Sequence, residues 1–70
     1  MMGDKITRLY NELEQAKREG SAQKAQNVSA EAAILANSYR ENTPEWNACQ
    51  DLCVEADEVA MDFEEEMEND

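Results

Sequence analysis

A chain of 70 residues can build one small core at most, and at this size oligomerisation or a partner often supplies the remaining stability. Apolar residues at 41% and charged residues at 33% favour a folded body over wholesale disorder. Seventeen acids against six bases, a net charge of −11, argue against direct contact with nucleic acid or an anionic membrane surface, and make a basic protein the natural partner.

The first predicted helix runs over about 4–19. Asp4 is placed to cap it, and Ile6, Leu9, Tyr10, Leu13 and Ala16 recur at three- and four-residue steps. Asp4 with Arg8, and Glu14 with Arg18, have the spacing of supporting pairs. Lys17 and Arg18 suit the negative end of the helix dipole, and Gly20 stands where a left-handed cap belongs.

The second predicted helix, about 22–41, is capped by Ser21. Its stripe is Ala25, Val28, Ala32, Leu35 and Tyr39, flanked by Ala22, Ala33 and Ala36. Extended backward by sevens, this stripe lands on polar residues such as Arg18 and Asn11, so the two apolar faces stand about 200° apart. A break near Gly20 follows. One long helix through Gly20, forming a helical hairpin that dimerises, is the alternative, because an interior glycine costs only about 1 kcal/mol.

Thr43-Pro44-Glu45 is the strongest punctuation in the chain: a capping threonine, a proline at the first helical position and an acid in the first turn. Helix three is expected over about 44–67. Its stripe of Trp46, Cys49, Leu52, Cys53, Ala56, Val59, Ala60, Phe63 and Met67 covers roughly 140° of the surface. With no period-two runs and no internal repeats, the fold class is all-α, a small three-helix bundle forming a single acidic domain over residues 1–70.

The charge is unevenly placed. Residues 1–50 hold seven acids and six bases, whereas residues 51–70 hold ten acids and no base. Like charges meet at helical spacing there, and carboxylates in the last turns oppose the helix dipole, so folding alone does not select this pattern. A bland reading makes it a solvated face that frays after about Glu64. The functional reading makes Asp51, Glu55, Asp57, Glu58, Asp62 and Glu65 an electrostatic ridge, with Val54 and Met61 as apolar anchors pointing away from the core stripe.

Ile34 is a matching oddity on helix two, opposite that helix's own stripe. With Ala30 it is a candidate oligomer seam.

Chemistry is sparse. No histidine occurs, which removes the usual general base near neutral pH and the commonest metal ligand. Cys49 and Cys53, one turn apart, read as buried thiols in a reducing compartment rather than as a disulfide or a zinc site. The glycine-containing loop of a calcium-binding hand is missing. No enzymatic activity, metal or cofactor is expected.

Trp46 reads as a lid over the turn between helices two and three, or as an interface anchor. The N-terminal residues lack the apolar core of a signal peptide and no run of 18 apolar residues offers a membrane span, so the expected location is the cytoplasm.

The expected function is therefore a non-enzymatic binding module. Its acidic third helix engages a basic protein surface to block or modulate it, in the extreme as a nucleic-acid mimic. As a class, compact acidic helical chains resemble the inhibitor and accessory proteins that phages encode. The alternative is a homo-oligomeric structural protein, a homodimer in the simplest case, whose acids serve solubility only.

Overall fold

The computed structural model describes residues 3–68, with side chains from 4 to 65. Three helices and no strand form among those residues: α1 (Gly3–Glu19), α2 (Ala22–Ala36) and α3 (Pro44–Glu68). The three-helix bundle expected from hydrophobic periodicity is the fold observed.

The break at Gly20 has a local cause. Gly20 adopts φ +66°, and the Ser21 N–H reaches back to the Ala16 carbonyl at 3.0 Å, closing the six-residue loop that ends many helices on glycine. Ser21 is extended, and its hydroxyl accepts from the Lys24 N–H at 3.1 Å, starting α2. Lys24 also meets the Glu19 carboxylate at 2.8 Å, clasping the turn from outside. Helices one and two are therefore separate.

Two boundaries differ from expectation. α1 begins at Gly3, so Asp4 occupies the first turn, where its charge favours the dipole. α2 ends at Ala36, five residues short of the predicted 41. Its last turn tightens into three-residue closures, Asn37 to Ile34, Ser38 to Leu35 and Tyr39 to Ala36. Asn37 and Ser38 are poor helix residues because short polar side chains favour turns, and Asn42 at φ 69° completes the reversal. Tyr39, placed on the helical stripe by periodicity, sits in the connection, half-buried against the core.

α3 starts as its sequence dictates. The Thr43 hydroxyl accepts from the Trp46 N–H at 3.2 Å and donates to the Arg40 carbonyl at 2.8 Å, locking the preceding loop to the first turn. The backbone remains helical to Glu68, past the point where fraying was expected, and Asn69 and Asp70 lie outside the described residues.

Ile6, Leu9, Leu13 and Ala16 of α1, Ala25, Val28, Ala32 and Ala36 of α2, and Cys49, Leu52, Ala56 and Ala60 of α3 form one buried cluster. Leu35, Tyr39, Trp46, Cys53 and Val59 close its edges. Small side chains on α2 and α3 let those helices approach closely along the largest interface in the molecule, and α1 lies against both.

Tyr10 departs from the predicted stripe: it is 40% exposed at the margin of α1, where a phenol can keep its polar end in water. Ala33 is exposed as well. Met67, expected in the α3 stripe, has a side chain outside the described set.

Candidate partner-binding face on the third helix

Burial of Cys49, Leu52, Ala56 and Ala60 fixes which way α3 turns. Two flanks then meet neighbours. On one, Lys17 of α1 places Nζ 2.8 Å from Glu55 Oε1. On the other, the Ser29 hydroxyl of α2 lies 3.5 Å from Cys53 Sγ, and the Gln26 amide donates to the Glu64 carboxylate. Neither α1 nor α2 covers the arc between these flanks.

That arc is the predicted ridge. Asp51, Val54, Asp57, Glu58, Met61, Asp62 and Glu65 are all exposed there, with Val54 at 57% and Met61 at 54%. Val54 and Met61 stand two turns apart, about 10 Å along the axis, as a short apolar line with carboxylates on both sides. Asp51, Asp57, Glu58, Asp62 and Glu65 meet no cation among the described residues.

Glu55 is different from the other ridge residues. It stands at the edge, bound to Lys17, which also lies 3.6 Å from Glu14. The hydrogen bond from Lys17 to Glu55 raises the lysine's pKa above its ordinary value near 10.5, partly countered by desolvation and reinforced by the charges of Glu55 and Glu14. Glu55 thus helps to dock α1 on α3.

Spacing along the chain does not place Lys17 or Gln26 beside the acids. Each lies 38 residues from its carboxylate, and nothing in local spacing reports such a contact.

Other candidates resolve more simply. Cys49 is fully buried and Cys53 half-buried, both as free thiols, and burial pushes the Cys49 thiol above its ordinary value. Trp46 is half-buried against the core, in keeping with the lid reading. Ala30 and Ile34 are exposed on α2, Ile34 at 69%, on a different side of the molecule from the ridge.

Between α1 and α2 runs an open groove of about 300 Å³ lined by Lys5, Arg8, Leu9, Glu31, Leu35 and Ile34. Among the described residues, no three His, Cys, Asp or Glu side chains converge to hold a metal ion, and no helix is long and apolar enough to cross a membrane. No family model, no curated protein and no solved structure matches this chain.

Proposed function

We propose that the outer face of α3 is a protein-binding surface that engages a basic surface on a partner and thereby blocks or modulates it. What supports this reading is the combination of Val54 and Met61, both more than half exposed, with five carboxylates around them that no cation among the described residues neutralises. Folding energetics do not favour that pattern. Like charges at three and four residues each cost a few tenths of a kcal/mol, and acids near the helix C-terminus oppose the dipole.

A complementary partner offers an apolar patch inside a basic rim. Opposite charge speeds encounter and orients it, and desolvation of Val54 and Met61 supplies the central contact. Nine acids over residues 51–68, about 27 Å of helix, approach the charge density of one nucleic-acid strand along its axis, so a nucleic-acid-binding surface is the form of basic site that this face suits best. The partner gains Glu55 too only by competing with Lys17.

Affinity capture with mass spectrometry identifies the partner, and titration of that purified partner at rising salt tests the reading. Binding is expected to weaken at least tenfold between about 50 and 300 mM salt. The triple variant Glu58→Gln, Asp62→Asn, Glu65→Gln should weaken it further while keeping or raising helix stability. Salt-independent binding, or full affinity in the triple variant, sinks the proposal.

A further inference from the structure

α3 carries a second seam, on the side opposite its core. Asp51, Val54, Glu58, Met61 and Glu65 follow one another at steps of three, four, three and four residues, the spacing at which one helix packs along another. All five are exposed. At 100° per residue they share a band about 80° wide, facing away from the buried Cys49, Leu52, Ala56 and Ala60.

The seam alternates in chemistry. A carboxylate recurs every seventh residue, at Asp51, Glu58 and Glu65, and an apolar side chain stands between successive acids, at Val54 and Met61. Its flanks repeat at seven residues as well: Asp57 and Glu64 on one side, Glu55 and Asp62 on the other. Glu55 and Glu64 are held from behind by Lys17 of α1 and Gln26 of α2, which fixes how the seam is turned. Asp57 and Asp62 meet no cation among the described residues.

Resting on the reading of this face as a site for a basic protein surface, we propose that its occupant is a single basic amphipathic α-helix of the partner, packed lengthwise along α3. The contact stripe of that helix carries Lys or Arg at every seventh position, facing Asp51, Glu58 and Glu65, with apolar side chains midway against Val54 and Met61. Further cations at its edges meet Asp57 and Asp62.

Shape selects a helix. Val54 and Met61 stand on the crest of a convex rod, and a second rod crossing at about 20° keeps three- and four-residue contacts in step over several turns, whereas a flat patch gains nothing from a seven-residue repeat. α3 is 25 residues, about 37 Å, in a molecule 43 Å long, so the rod presents its seam along most of one edge.

Charge selects the composition. Two α3 seams from separate copies would set acid flank against acid flank in either direction, which disfavours self-pairing here. An all-apolar helix is rejected too, because covering Asp51, Glu58 and Glu65 without a cation strips them of water uncompensated. A basic helix of this kind is also what several DNA-binding motifs lay in the major groove, in keeping with a partner whose nucleic-acid site is occupied.

The probe is a synthetic peptide of three heptads with Arg at each position facing an acid, Leu at each position facing Val54 or Met61, and Lys at the edges. Its controls are a peptide of the same composition with the three- and four-residue spacing scrambled, and one with Leu in place of the facing Arg. Each is titrated into the full chain by calorimetry at about 50 mM salt, with circular dichroism of the mixture. The heptad peptide should bind at least tenfold tighter than either control and gain helix on mixing. Val54→Asn with Met61→Asn should abolish its preference over the scrambled peptide while leaving binding of the scrambled peptide unchanged, and circular dichroism of the variant alone checks that its helices persist.

Equal affinity for the heptad and scrambled peptides overturns the helical occupant, as does binding without added helix or a preference that survives the double variant. None of those results touches the broader reading of the face, which falls instead if the captured partner binds independently of salt.

Discussion

Gly20 separates backbone geometry from packing. Its φ of +66° lies in the left-handed region, yet a Cβ built there meets no atom within 4 Å. Gly20→Ala therefore costs only the conformational strain, about 1 kcal/mol, without a clash. Urea denaturation should show a lower midpoint at unchanged slope, and a thermal scan a loss of about 4–8 °C. A larger loss would mean that the turn itself had moved. Asn42, at φ 69°, fills a similar backbone role with a residue that tolerates it.

At the scale of the element, α3 has a well-made start and an electrostatically poor finish. The start joins Thr43, Pro44 and the Trp46 N–H in one capping arrangement that also holds the Arg40 carbonyl. Thr43→Ala removes both hydroxyl bonds and should cost about 1 kcal/mol, measurable by urea titration, with Trp46 fluorescence reporting the loosened turn. The finish carries nine acids and no base over residues 51–68, and the helix holds because its inner face buries Cys49, Leu52, Ala56 and Ala60. Packing outweighs the repulsion: fully burying a leucine contributes about 1.5–3 kcal/mol, against a few tenths per like-charge pair.

The whole molecule has a definite response to alkali. Lys17 and Cys49 both have raised values, so the folded state holds their protons more tightly than the unfolded chain does. Each contributes stability that is complete below its ordinary value, 9.0 for the thiol and 10.5 for the amine, and is lost as pH rises through the raised one. Urea midpoints should accordingly fall as pH climbs from about 9 upward. Cys49→Ala should flatten the early part of the fall, since a buried thiolate no longer has to form. The Lys17 share is small, because the pair with Glu55 is at the surface.

Much of this architecture is local in origin. Three helices, the break at Gly20, the cap at Thr43 and the buried stripes follow from residue type and three- to four-residue spacing, because helices are built from contacts within a turn or two. The exposure of Val54, Met61 and Ile34 follows from the same periodicity. Where α2 stops was less legible, since the apolar stripe continues to Tyr39 while the backbone leaves the helix at Asn37 for turn geometry.

Contacts between helices were decided only by the tertiary structure. It ties Glu55 to Lys17 and Glu64 to Gln26, leaves Tyr10 at the margin, and turns both α2 charges toward α1. Those outcomes depend on how packed helices are rotated and aligned against one another, a property of shape complementarity between distant segments that spacing along one helix does not encode.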